Sequence, residues 1–240
     1  SGAGQALRLY AERFVLPAHE KKKNAVNILG ATPLDFSVNG QIQSIARRLT
    51  EGGFSVQSVW AMGSETAAID RTGEAEVNLV VSSVGLPVAK FLRERFGTPY
   101  VVGVLFGDTV SALLLGALQK SIHTGENEIL PAGTPDAPDT VILGESVTSR
   151  SLAAALLLDY GICAEVICPV ELPRELEGSF CRQIEDEQDL QAALSGARRV
   201  IADPLFAPIV PQGAQFFPLP HEAYYGRIYR KQIPNLVTTW

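Results

Sequence analysis

Three residue types in this chain could do chemistry, and their spacing limits what that chemistry is. Cys163, Cys168 and Cys181 follow a C-x4-C-x12-C pattern with no histidine beside them. That pattern matches neither a zinc site nor an iron–sulfur run. They read instead as core residues, with Cys163 and Cys168 bracketing an apolar strand where a thiol packs as a modest hydrophobe. His19, His123 and His221 are far apart in sequence and no GxSxG elbow accompanies them, so a hydrolytic triad has no support beyond the presence of the residue types. His221 differs from the other two because it sits at a strand exit, in PLPHE, among Phe216, Phe217, Tyr224 and Tyr225.

Asp35, Asp108 and Glu145 each follow an expected strand, where a carboxyl can serve as acid, base or ligand. Asp108 is better explained as the cap of an apolar helix, and Glu145 as a first-turn carboxylate favoured by the helix dipole. Asp35, in the exposed-looking loop PLDF, has no such structural explanation. The turn GESVTS at 144–149 opens a helix whose free N–H groups suit an anion. Ser and Thr also cap those groups, and Glu145 opposes a phosphate there. No GxGxxG follows a strand, since Gly30 leads into ATPLDFS, and GxxxxGK[ST] is missing; tight dinucleotide or triphosphate binding is not indicated.

The elements that must position these residues alternate short apolar runs with stretches of helical period, the pattern of parallel sheets with crossover helices. Strands are expected at 25–30, 54–60, 77–82 and 100–105. Between them, a helix at 38–50 puts Ile42, Ile45, Ala46 and Leu49 on one face and stops at Gly52-Gly53, and another at 86–96 stops at Gly97. The helix that Asp108 opens runs to about 122. Residues 126–138, rich in proline and glycine, read as a linker. Beyond it, strands at 140–143, 164–168, 199–202 and 215–217 alternate with helices at 147–160 and 187–194, and 171–176 forms a short helical turn. Ahead of everything, 5–14 is an amphipathic helix. The expected architecture is therefore α/β: two open parallel-sheet, Rossmann-like three-layer subdomains at 24–125 and 139–240, preceded by a helix and lead-in at 1–23. Ligands of such sheets bind outside the strand C-termini, so the exit loops of the two halves are expected to face a shared cleft.

Composition excludes some partners. A chain of 240 residues with 46% hydrophobic residues, 19% charged residues and a net charge of -6 builds substantial cores. Its basic residues are scattered apart from Lys21-Lys22-Lys23 and a loose group at Arg227, Arg230 and Lys231, so nucleic acid is not an expected partner. The longest apolar runs fall far short of a membrane span. Three cysteines, an odd number, and no signal-like opening point to a reducing, cytoplasmic setting. The chain opens Ser1-Gly2-Ala3 without a methionine, so Ser1 need not be the natural start.

The run VNILGATPLDFSVNGQIQSIARRLTEGGFSVQSVWAMGSETAAIDRTGEAEVNLVVSSVGLPVAKFLRERFGTPYVVGV, followed by DTVILGESVTSRSLAAALLLDYGI, ARRVIADPLF and PLPHEAYYGRIY, resembles the nitrogenase component 1 family. That family includes nitrogenase catalytic subunits, cofactor-assembly scaffolds and dark-operative chlorophyll-precursor reductases. The resemblance implies the C-terminal part of a subunit that takes electrons from an ATP-dependent iron–sulfur reductase, pairs with a second component 1-like subunit, and works in an assembly holding an iron–sulfur or other metal cluster. The alternative it leaves open is a non-catalytic scaffold that binds a metal cluster or tetrapyrrole for assembly or delivery. A third reading is a small-ligand binding module related only in fold.

Two departures narrow what the resemblance implies. The family's first cluster is held by cysteines of an N-terminal portion, and no cysteine precedes Val26 here. Counting back from Gly97-Thr98-Pro99-Tyr100 to the place of the cofactor thiolate reaches Val81, with Ser82 and Ser83 beside it. His221 falls in a place comparable to a histidine of the family's cofactor pocket. His221, Ser82, Ser83 and Asp35 are thus the candidate cofactor- or substrate-binding residues; no metal ligand and no catalytic residue is assigned.

Overall fold

Apolar runs too short for helices become strands covered on both faces, which is how a parallel sheet buries its backbone. The computed structural model describes residues 2–36, 39–131, 138–225 and 228–240. In the first half, helix α1 (Gly2–Phe14) precedes β1 (Lys22–Leu29), α2 (Pro33–Phe36), α3 (Gln41–Glu51), β2 (Ser55–Val59), α4 (Thr66–Asp70), β3 (Ala75–Val80), α5 (Leu86–Phe96), β4 (Tyr100–Val102), α6 (Gly107–Thr124) and β5 (Glu128–Ile129). In the second half, β6 (Thr140–Leu143) is followed by α7 (Ser146–Tyr160), β7 (Ala164–Cys168), β8 (Cys181–Gln183), α8 (Glu187–Leu194), β9 (Arg199–Ala202), β10 (Gln215–Pro218) and α9 (Glu222–Tyr225). The strands form two five-stranded sheets, ordered β2-β1-β3-β4-β5 and β10-β9-β6-β7-β8, parallel throughout.

Each sheet thus has four expected strands and one that sequence missed. β5 lies inside the expected linker and pairs with β4 through Val101–Glu128 and Val102–Ile129; residues 132–137 of that linker lie outside the described residues. β8 pairs with β7. The expected turn of helix at 171–176 is a short 3-10 turn, Arg174–Leu176. α3 starts at Gln41, and Val38, its expected first residue, lies outside the described residues. Its Ile42, Ile45 and Leu49 are buried, and Gly53, at φ 86°, turns the chain out as expected.

The first sheet is pinned by a buried polar cluster as well as by apolar packing. Asn27 donates to Asn78 Oδ1 (2.8 Å), Ser58 donates to Asn27 Oδ1 (2.7 Å) and the Trp60 indole donates to Thr72 Oγ1 (2.9 Å). These bonds tie β1, β2 and β3 together, and because each polar group has a partner the cluster specifies register without leaving buried groups unpaired. α1 packs on α5, where Gly4 lets it close on Pro87 and Val84.

The two halves share one apolar core that runs from β1 and β3 through α6 to α7, β7 and β8. They are also laced by the C-terminal segment, which returns to the first half. Arg48 donates to Val237 O (3.0 and 2.8 Å) and Asn235 donates to Ser44 Oγ (3.0 Å), while Trp240, set against Gly107 of α6, donates to Asp159 Oδ2 of α7 (2.6 Å). Val237 is fully buried beneath this strap.

Candidate functional site

Strand order fixes where a site can form. In the first sheet the chain passes from β1 outward to β2 and then crosses to β3 on the other side, so the order reverses between β1 and β3. In the second sheet it reverses between β6 and β9. Neighbouring loops diverge at such points and leave a crevice beyond the strand C-termini. The loops at both reversals meet at one cavity of about 720 Å³, whose wall includes Thr32, Asp35, Ser83, Glu145, His221 and Tyr224. Leu34, Val84, Leu86, Pro87, Val170 and Leu172 give the rest of it apolar character, the usual balance for a small-molecule site.

Backbone proximity builds the first wall. Gly30, at φ 90°, and Gly85 bring the exits of β1 and β3 into contact: a Cβ on Gly85 would lie 2.6 Å from the Leu29 carbonyl, and one on Gly30 2.7 Å from Ser82 Oγ. Only glycine fits either place. Ser82 is fully buried and donates to Gly30 O (2.7 Å), so it fastens the two exits. Ser83 reaches the cavity, but its defining bond is from its backbone N–H to Glu145 Oε1 (2.8 Å).

Glu145 is therefore the joint between the halves. One carboxylate oxygen accepts from Ser83 N of the first half, and the other accepts from Thr148 N (2.9 Å), capping α7. The anion-binding capacity of this helix N-terminus is thus taken up by the chain's own carboxylate. Asp108, by contrast, is not a cap: it stands in the first turn of α6, 96% exposed, and pairs with Arg48 at 2.8 Å. The reason is that Gly107 already takes the helical start with Phe106 as the extended residue before it.

Asp35 corrects its expected setting. It belongs to α2, its side chain is only 9% exposed, and it accepts from the Thr32 hydroxyl (2.7 Å). The second half closes over it: the His221 ring places Nε2 3.7 Å from Asp35 Oδ1. His221 is held from behind by Asp203, fully buried after β9, which accepts from His221 N (2.7 Å) and Leu205 N (2.8 Å). Tyr224 packs on the imidazole with ring centroids 5.3 Å apart. Thr32 and Asp203 leave strand ends in the sequence and Tyr224 lies near His221 in it, but none of the three was assigned a role. A carboxylate preceding proline at a strand exit, as in ADPLF, was the available signal for Asp203.

The electrostatics of this floor are unusual. Burial, reinforced by the nearby Glu145 charge, pushes the Asp35 carboxyl up to about 7 against the pull of its Thr32 hydrogen bond and the neighbouring Ser82 hydroxyl. Burial pushes the His221 imidazole below its ordinary range, against the opposing pull of Glu145, Asp203 and Glu222. Burial also raises the Tyr224 phenol. A carboxyl and an imidazole brought toward one another's range inside a crevice are the marks of a functional site.

These features define a class: an α/β protein of two parallel sheets with a cleft where two sheet reversals face each other. Comparison with known proteins supplies the family. The model of the Nitrogenase component 1 type Oxidoreductase family matches residues 1–143, and the chain belongs to that family. Among curated proteins it is 30% identical over 130 residues to the B-type subunit of light-independent protochlorophyllide reductase from Nostoc punctiforme, a match covering 52% of this chain and 26% of that protein. Against the corresponding protein of Synechococcus sp. (strain CC9311) it is 26% identical over 204 residues, covering 79% of this chain and 37% of the relative. The chain thus spans about a quarter to about a third of the length of these relatives. Among solved structures, "Nitrogenase Cp1 at pH 5" superposes with a TM-score of 0.61 at 13% identity over 98% of this chain and 59% of its own, a likeness of fold.

Family membership makes a metal cluster the group to test against this cleft. The residues do not fit one. No cysteine lines the cavity; Cys168 and Cys181 are buried with their sulfurs 4.0 Å apart, and Cys163 is half-buried. The hydrogen bond between Cys168 and Cys181 shifts the two thiols in opposite directions, Cys168 up and Cys181 down, so no more than one of them favours a thiolate, and neither lines the cavity. Among the described residues no three His, Cys, Asp or Glu side chains converge as metal ligands. Nor, among them, is any helix long and apolar enough to cross a membrane.

Proposed function

We propose that this chain supplies the two α/β lobes of a cytoplasmic reductase subunit, and that the cleft between them binds the molecule to be reduced. Electrons reach it from an ATP-dependent iron–sulfur reductase through clusters held elsewhere in an assembly with a second component 1-like subunit. The division into lobes at 24–125 and 139–240, joined by 126–138 with Glu128–Ile129 of that segment adding an edge strand to the first sheet, is part of the same reading. The observation that carries it is the convergence of Asp35, Ser83, Glu145 and His221 at the facing strand exits of a member of this family. Within the cleft, His221 and Asp35 contact the ligand, Ser83 offers its hydroxyl at the wall, and Ser82 positions them through its bond to Gly30.

The test is reconstitution of the full-length protein with its ATP-dependent reductase, following electron uptake and substrate reduction together. Turnover that depends on ATP and on the reductase is the expected result. Electron uptake without any product would replace this reading with the scaffold. A protein that takes up no electrons would overturn both. His221→Ala is expected to weaken ligand binding in that protein, and unchanged binding would return His221 to a structural role.

A further inference from the structure

The floor of the cleft holds a buried nitrogen without a hydrogen-bond partner. His221 Nε2 is closed off from solvent, has no bonded partner and lies 3.7 Å from Asp35 Oδ1, too far for a hydrogen bond. A buried polar atom left in this state calls for an explanation. Its protonation follows from its neighbour: the Ala223 amide donates to Nδ1 (3.3 Å), so the neutral ring carries its proton on Nε2, the nitrogen directed at Asp35. On the other side, Asp35 Oδ2 is engaged by the Thr32 hydroxyl (2.7 Å) and Oδ1 is left facing the imidazole.

We propose that Asp35 and His221 form a proton-donating couple for a neutral or cationic unsaturated ligand, whose acceptor atom, a carbonyl oxygen or ring nitrogen, bridges Oδ1 and Nε2 from the cavity side. This rests on the reductase reading of the cleft and specifies its ligand. The charges facing the couple determine the ligand class. Glu145 faces it from the start of α7, Asp203 from the exit of β9, and Glu222, ion-paired to Arg230, from α9; all three are buried. Glu171 and Glu175 stand further along the wall with Lys90, which is ion-paired to Glu175, and with Arg174, exposed at the rim. An anionic headgroup at the couple would be repelled by Glu145 and Asp203, while Lys90 and Arg230 are each already ion-paired to a carboxylate.

The proton balance is simple. Reduction of one double bond takes two electrons from the iron–sulfur reductase and two protons. Asp35 gives one proton to the acceptor atom as the electrons arrive, and solvent entering the open cleft gives the second. The Asp35 carboxylate is left beside the Nε2–H of His221, which stabilises it until solvent restores the proton. Because the carboxyl titrates at about 7 in the fold, the donor is loaded near neutral pH, where a general acid works best. The donating form is the protonated one, so activity is full below that point and declines above it.

The test uses the reconstituted full-length protein. Asp35→Asn is expected to lower kcat roughly 100-fold or more, with a much smaller change in KM, and Asp35→Glu to recover part of it. The alkaline limb of the pH profile should move in opposite directions in two variants: upward in Thr32→Val, which loses a bond favouring the carboxylate, and downward in Glu145→Gln, which loses the neighbouring charge. Independently of turnover, nitrogen NMR of the chain should show His221 neutral at pH 7 with its proton on Nε2. An Asp35→Asn enzyme with wild-type kcat, limbs that do not move, or a His221 proton on Nδ1 would each overturn the couple. If the wild-type protein takes up no electrons from any reductase, the reductase reading fails instead, and the couple then stands or falls on the NMR result.

Discussion

Replacing Asp35 by asparagine should stabilise this protein, and only at neutral to alkaline pH. The carboxyl titrates at about 7 in the fold against 3.8 when free. Between those values the folded state binds more protons than the unfolded one, so the wild-type chain loses stability as pH rises from about 4 to about 7 and no more beyond. With the side chain only 9% exposed, solvent screening removes little of the effect, and its ceiling is ~4 kcal/mol. Asparagine carries no such cost but holds the Thr32 hydroxyl less strongly than a carboxylate does, an offset of about 1 kcal/mol. The net expectation is a gain of roughly 1–3 kcal/mol at pH 8 that vanishes near pH 4. His221, lowered by burial, adds a dependence of opposite sign, since it costs stability as pH falls below its free value. That contribution is common to both chains and largely cancels in their difference. Urea unfolding of wild type and variant at about pH 4, 6 and 8 measures the effect. A difference that does not grow with pH would show that Asp35 is ionised in the fold at an ordinary value, and the physical case for it as a loaded acid would fail. Stability given up at a carboxyl inside a cleft is the usual mark of a residue kept for function.

Further perturbations probe the frame around that carboxyl. Glu145→Ala removes the acceptor of both Ser83 N and Thr148 N and should cost about 2–4 kcal/mol in urea unfolding, the sum of a lost cap and an orphaned buried amide. Gly85→Ala forces a Cβ to within 2.6 Å of the Leu29 backbone and should cost about 1–3 kcal/mol by overpacking. Arg48→Ala, which loses both bonds to Val237 O, should expose the amides of the C-terminal strap to faster hydrogen exchange, whereas Asp108→Ala, losing only an exposed pair, should change stability by less than about 1 kcal/mol.

What was legible in the sequence was whatever local chemistry dictates. α5 runs from Leu86 to Phe96 with Gly97 in the left-handed region, because a helical period ending at glycine leaves the chain little choice. Eight of the ten described strands, the three-residue β4 included, were legible from their apolar content. β5 and β8, two and three residues long, show no period at all; they become strands because a neighbouring edge offers its backbone groups. The site divides in the same way. His221, Asp35 and Ser83 were visible as residues leaving strand ends, but the environment of Asp35 was not. Nothing in PLDF reports that Glu145 and His221, more than a hundred residues away, close over it and turn an exposed-looking loop into a buried acid. Ser82, read as a pocket residue, is turned inward onto Gly30 by the close crossing that Gly30 and Gly85 permit. Glu145 was recognisable as a residue of the helix start, while its bond across to Ser83 depends on the approach of the two halves.

The most direct measurement is a carbon NMR titration of the Asp35 carboxyl in the folded chain, assigned through Asp35→Asn. A buried, proton-loaded acid requires a midpoint near pH 7 that falls in Glu145→Gln and rises in Thr32→Val. A midpoint near 4, unmoved by either substitution, would contradict it.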